Sequence, residues 1–125
     1  MYIYYNPNPR GRKVGDCAIR AVAKVTGRSW FETYTALYLM GLQLGDLPNS
    51  DAVWGAYLRS RGYERHAIPD TCPDCYTVAD FARDNPRGAF VLGTGTHAVA
   101  VVDGNVYDVW DSSDEIPAFY MSKER

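Results

Sequence analysis

No apolar run in the sequence approaches the roughly 20 residues that cross a bilayer, so a membrane span is not expected. The first residues, Met1-Tyr-Ile-Tyr-Tyr-Asn-Pro7, lack the basic-then-apolar layout of a secretory signal, and a cytoplasmic protein is expected. Runs of lysine or arginine long enough to follow a phosphate backbone are missing too. The 13 basic side chains are offset by 15 acidic ones, for a net charge of −2, which argues against nucleic-acid binding through bulk charge. Cysteine and histidine are scarce, at 3 and 2 residues. Three cysteines cannot all pair, and a reducing cytosol would keep Cys17, Cys72 and Cys75 as thiols. Cys72-Pro-Asp-Cys75 is a C-x-x-C, but it has no second C-x-x-C or histidine pair to complete a zinc site and no βαβ context for thioredoxin-like chemistry. Its thiols are expected to be incidental to an exposed loop. Gly93-Thr-Gly-Thr-His97 is not a phosphate loop, because no G-x-x-x-x-G-K pattern is present. Neither a metal nor a cofactor is expected.

What is present is enough for one packed domain over residues 1–125, with 46% hydrophobic and 22% charged residues. Tyr2 to Tyr5 could form a short strand, and Asn6-Pro-Asn-Pro-Arg-Gly11 must be loop. Asp16 suits a helix N-cap, and Ala18, Ala21, Val22 and Val25 repeat with helical spacing up to Gly27, predicting a helix over 17–26. Ser29 and Glu32 make a capping-box pattern ahead of a second helix, 30–44, whose apolar positions spread around the axis and predict a well-buried element. A third helix runs from Ser50 to about Arg61, and Thr77 with Asp80 repeats the capping pattern for a fourth, short helix through about Asp84. The stretch between these two is expected to be irregular. From Ala89 onward the pattern changes to short β-rich runs, 89–92, 97–102 and 106–110, with a fourth possible at 118–121. Helices first and strands later predict an α+β domain, with N-terminal helices packed on a C-terminal antiparallel sheet.

Three residue types in this layout point to chemistry. Cys17 falls in the first turn of a helix, where unpaired N–H groups and the helix dipole favour a thiolate. A nucleophilic thiol needs a base, and His97, opening a strand behind a glycine-rich loop, is better placed than His66. The base in turn needs an orienting group. If Asp103, Gly104 and Asn105 form the hairpin loop, Val102 pairs with Val106 and His97 lies opposite Asp111. A two-residue Asp103-Gly104 turn would instead put Trp110 opposite His97, with Asp108 diagonally on its face. Asp111 is the first choice and Asp108 the alternate. Asn6 or Asn8 could supply a side-chain amide to an oxyanion, beside the N–H of Cys17. Trp110 could shield the histidine–carboxylate bond from water.

Gly15-Asp16-Cys17-Ala18-Ile19-Arg20-Ala21-Val22, followed 80 positions after the cysteine by His97-Ala-Val-Ala-Val101 and then Tyr107-Asp-Val-Trp-Asp111, resembles the papain-like cysteine peptidase superfamily. More narrowly, it is similar to small uncharacterised proteins of bacteria and their phages. The resemblance implies a papain-like fold, with Cys17 as nucleophile, His97 as base and Asp111 as orienter. The expected activity is hydrolysis of a peptide, isopeptide or side-chain amide bond through a thioester acyl-enzyme, with a protein or peptide as substrate. An acyltransferase using the same triad is the enzymatic alternative, and an inactive papain-like domain that binds a partner protein is the non-enzymatic one. The compartment implied is the cytoplasm of a bacterium, or of the host cell if the chain is phage-encoded. Position 11 is glycine, whereas many papain-like peptidases carry a glutamine a few residues before the cysteine, which is why the oxyanion amide is sought in Asn6 or Asn8.

Overall fold

Ala18, Ala21 and Val22 lie along one side of a ten-residue helix, α1 (Cys17–Thr26), and all three are buried. In the computed structural model, which describes residues 1–123, α1 packs against the middle of a six-stranded sheet. The strands are β1 (Tyr2–Tyr4), β2 (Tyr63–Ala67), β3 (Ala89–Gly93), β4 (Ala98–Val102), β5 (Asn105–Asp108) and β6 (Phe119–Lys123). They stand in the order β1-β5-β4-β3-β6-β2, antiparallel throughout except for the β1/β5 edge pair, which is parallel. With α2 (Trp30–Leu44), α3 (Asp51–Ser60) and α4 (Val78–Asp84), the chain is an α+β protein. Among the described residues no helix is long and apolar enough to cross a membrane.

Strand alternation divides the core in two. Ala98 and Ala100 of β4 face α1, with Leu37 of α2 and Trp54 and Leu58 of α3. Val99 and Val101 face the other way, toward Val78, Phe81 and Ala82 of α4. The small alanines on the α1 side let the helix approach the sheet closely, and this approach brings its first residue, Cys17, to the start of β4. Capping fixes where the helices begin. Both predicted capping boxes are formed, Ser29 with Glu32 and Thr77 with Asp80, and Ser50 accepts from Val53 N–H at the start of α3.

Three local expectations need correction. The stretch expected to be irregular contains β2, an edge strand of which only Tyr63 is buried; Glu64 and Arg65 face solvent, so the alternation that marks a half-buried strand is weak. α2 is not well buried. It meets α1 and α3 through one stripe, Thr33, Leu37 and Gly41, and much of its remaining apolar surface is exposed. The β4/β5 turn has two residues, because Val102 pairs with Asn105. Asp103 and Gly104 both take positive φ, 50° and 78°, as a type I′ turn requires, and that turn matches the twist of the flanking strands.

Gly93 shows how tightly the sheet is closed on the α1 side. A Cβ there would lie 2.3 Å from the ring of Phe119, which is buried and stacked on Trp54 at 5.5 Å. Gly93→Ala is therefore expected to destabilise the fold by roughly 1–3 kcal/mol, the usual cost of overpacking, as measured by urea denaturation.

Candidate active site

The first residue of a helix has an N–H group with no partner inside the helix, and Cys17 occupies that position in α1. Asp16 stands at the N-cap as predicted, but its side chain makes no capping hydrogen bond. The carboxylate turns inward instead: Oδ1 accepts from Nη1 of Arg20, one helical turn on, and Oδ2 accepts from Trp30 Nε1 at 2.8 Å. Arg20 is buried, and its Nη2 donates at 3.0 Å to Oδ1 of Asp108, the last residue of β5. Asp108 is buried as well and collects three further contacts. Val109 N–H donates to Oδ1 at 2.8 Å, Ser112 Oγ donates to Oδ2 at 2.7 Å, and His97 Nε2 lies 2.7 Å from Oδ2. So many donors fix both the position and the charge of this carboxylate.

His97 lies just before β4, half-buried, with its ring 5.1 Å from that of Trp110. Against an anionic Asp108, Nε2 carries the proton and donates it, which leaves Nδ1 to face the sulfur. Cys17 stands beside His97 and Ala98 in the wall of one cleft, close enough for the imidazole and the Ala98 N–H to act on the thiol. Nucleophile, imidazole and carboxylate thus form one continuous series, and Arg20 and Asp16 extend it back into the helix that carries the cysteine.

The titration of each member follows from its neighbours. Burial pushes the Cys17 thiol up, but the His97 hydrogen bond, the Ala98 N–H and the positive charges of His97 and Arg20 outweigh it, and the net shift is downward. Burial alone would lower His97. The hydrogen bonds to Asp108 and Cys17, together with their negative charges, push it up to about 9. For Asp108 burial acts upward, and the bonds from His97 and Ser112, the His97 charge and the Val109 N–H bring it below its ordinary value. The shifts run in the directions that favour a thiolate beside an imidazolium, down for Cys17 and up for His97. Iodoacetamide should alkylate Cys17 faster at mildly acidic pH than an ordinary thiol of pKa about 8.5, and the midpoint of its pH profile should lie below that ordinary value.

The sulfur opens on a cleft of ≈ 350 Å³, lined on one side by Asn49, Ser50, Asp51 and Trp54 and on the other by Gly95, Thr96, His97 and Ala98. Asp111, the first choice as orienter, is not at His97. It is exposed and accepts from Ser113 N–H at 3.1 Å, because the shorter hairpin turn shifts the register by one residue and puts Asp108 in its place. Nor do Asn6 and Asn8 reach the cleft. Asn6 donates to Arg12 C=O and accepts from Asn8 N–H, and Asn8 accepts from the N–H groups of Arg10 and Arg12, so both amides serve to fold the loop before α1. His66 lies on β2, stacked on Tyr120 at 4.8 Å. Cys72 and Cys75, expected as thiols, are joined in a disulfide within a loop where Thr71 Oγ1 donates to Asp74 C=O and Cys72 N–H donates to Asp70. Among the described residues Cys17 is the one free cysteine.

The chain matches no family model, no curated protein and no solved structure. Among the described residues no group of three or more His, Cys, Asp or Glu side chains could hold a metal ion.

Sequence reasoning missed Arg20, Ser112 and Asn49. The Asp16–Arg20 pair has the i, i+4 spacing of a helix ion pair and was open to detection, although nothing in that spacing says that it is buried. Ser112 and Asn49 carry no sequence signal, since one bends back under β5 and the other comes from the α2–α3 connection.

Proposed function

We propose that the chain is a papain-like cysteine hydrolase that cleaves an amide bond of a protein or peptide through Cys17, His97 and Asp108. The observation that carries this reading is Cys17 beside His97 at the wall of an open cleft, with His97 bonded in turn to the buried Asp108. The Cys17 thiolate attacks the carbonyl carbon, and the charge that develops on oxygen is met by the N–H of Cys17 and by the side-chain amide of Asn49. As the tetrahedral species collapses, the His97 imidazolium gives its Nδ1 proton to the leaving amine, and the acyl group stays on sulfur as a thioester. Water then attacks the thioester. His97 takes one proton from that water, the carboxylic acid leaves, and the thiolate–imidazolium pair is restored. Throughout, Asp108 holds the ring in the tautomer that faces the sulfur and balances its charge. Asp111, Asn6 and Asn8 have no part in this scheme.

Mixing the protein with an activated ester such as p-nitrophenyl acetate tests the reading before any natural substrate is known. A burst of nitrophenol equal to the enzyme concentration is expected, with a mass increase of one acetyl group at Cys17 by intact and peptide mass spectrometry; Cys17→Ala should give neither. Failure to acylate a thiol that iodoacetamide still labels would overturn hydrolysis and leave a papain-like domain that binds.

A further inference from the structure

The loop that leads into α1 carries positive charge that nothing around it balances. Arg10 and Arg12 are exposed, and among the described residues neither guanidinium has an ion-pair or hydrogen-bond partner. Their backbone is nevertheless fixed. The N–H groups of Arg10 and Arg12 both donate to Oδ1 of Asn8, at 2.9 and 3.3 Å, and Asn6 Nδ2 donates to Arg12 C=O at 3.2 Å. Between this loop and the start of α2 lies a cavity of ≈ 410 Å³, with Arg10, Arg12, Asp16, Ile19, Trp30 and Tyr34 in its walls. Its one carboxylate is engaged inside the protein, since Asp16 Oδ1 accepts from Arg20 and Oδ2 from Trp30. The stacked rings of Trp30 and Tyr34, with centroids 5.0 Å apart, add an aromatic wall. Two unpaired guanidinium groups beside an aromatic surface suit a carboxylate on a short aliphatic stem, the form of an aspartate or glutamate side chain.

Position ties this cavity to the thiol. Gly15 and Asp16 line it, and the next residue, Cys17, lines the reactive cleft. Ile19 in its wall comes two residues after Cys17, about 200° round the helix, so the cavity opens on the far side of the first turn of α1. A helix with its side chains is about 10–12 Å across and an extended chain rises about 3.3 Å per residue, so about three residues carry a peptide from one opening to the other. We propose that the cavity receives an acidic side chain of the substrate, about three residues from the carbonyl that Cys17 attacks. This assignment rests on Cys17 acting as the nucleophile, and it makes the substrate an acidic peptide.

Chloroacetyl tripeptide amides test the assignment without any hydrolysis. The Cys17 thiolate displaces chloride from the chloroacetyl carbon, so a C–S bond forms as a C–Cl bond breaks. Chloroacetyl-Gly-Gly-Glu amide carries its carboxylate about three residues from the sulfur, and the Gln peptide has the same shape without the charge. Each rate at Cys17, followed by peptide mass spectrometry, is divided by the iodoacetamide rate of the same protein, so that a change in the thiol itself cancels. The wild type is expected to favour the Glu peptide over the Gln peptide about fivefold at low ionic strength, and to lose most of that preference in about 1 M salt. Arg10→Ala/Arg12→Ala should bring the ratio to about one, and Arg10→Glu/Arg12→Glu should turn the preference toward a Lys peptide. Both positions are exposed, so the fold should survive, as circular dichroism will check. With the glutamate moved next to the chloroacetyl group, the preference should vanish. Equal wild-type rates for the Glu and Gln peptides, a preference that survives both double variants, or one that is the same at both glutamate positions would each overturn the acidic site. A protein that fails to acylate with p-nitrophenyl acetate would lose the hydrolytic reading alone, and the alkylation ratios would still decide whether the cavity takes an acid.

Discussion

His97→Ala is expected to lower the alkylation rate of Cys17 at mildly acidic pH, by about tenfold for each unit that the thiol pKa rises, and to abolish acylation by an activated ester. The alanine removes the hydrogen bond and the positive charge that hold the thiol down, while burial, which pushes it up, remains. The thiol should then titrate at or above its ordinary value, and the pH profile of alkylation should move upward accordingly. Raising the pH of the variant to about 9 should recover much of the alkylation rate but none of the ester turnover, because alkylation needs only a thiolate while turnover needs a proton donor and acceptor. Unchanged reactivity near pH 6 would mean that helix position and the Ala98 N–H suffice, and the imidazole would lose its role. Linkage adds a check on stability. A histidine whose pKa is raised to about 9 in the folded state contributes stability that is fully present below its ordinary value and is lost as the pH rises through about 9. The alkaline limb of the wild-type stability curve should therefore flatten in His97→Ala.

The second large effect separates two aspartates three residues apart. Asp108→Ala removes a buried anion that accepts from Arg20, Ser112, Val109 and His97 and leaves the Arg20 guanidinium with one carboxylate in place of two. Breaking a buried charge pair costs about 3–5 kcal/mol, a large share of the stability of a domain this size. Loss of folded protein, or a midpoint lowered by that amount in urea, is expected. Asp108→Asn is the informative variant, since an amide can still accept from the ring and keep it oriented. It should fold, with a His97 pKa lower than in the wild type and ester turnover reduced by more than tenfold. Asp111→Ala, at an exposed site bonded only to a neighbouring backbone N–H, should stay within about 0.5 kcal/mol of the wild type and keep full turnover. Full activity of Asp108→Asn together with an inactive Asp111→Ala would reverse the assignment.

The helices and their caps were legible because each signal is local: Ser29 with Glu32, Thr77 with Asp80, and the Ala18–Val25 spacing each specify one element without help from the rest of the chain. Cys17 and His97 were legible for the same reason, one at a helix start and the other at the head of a β-rich run. The orienter was not, because its identity depends on whether Asn105 belongs to the turn or to the strand. That choice is made by the backbone twist and by the positive φ of Asp103, neither of which appears in the residue types alone. Asn6 and Asn8 were misread because an asparagine in a loop before a helix serves an oxyanion or its own turn with equal ease, and sequence gives no distances. α2 looked buried because its apolar residues surround the axis. What sequence omits is that α2 meets its main partners among the described residues, α1 and α3, through a single stripe.

The buried pairing of Arg20 with Asp108 has a mechanical consequence. It ties the second turn of the cysteine helix to the end of the strand beside the histidine, at a point where the helix also rests on Ala98 and Ala100. The sulfur and the imidazole therefore cannot drift apart while the core stays closed. The reactive centre belongs to the same cooperative unit as the helix–sheet contact, so heat should remove reactivity and fold together, along a single melting curve.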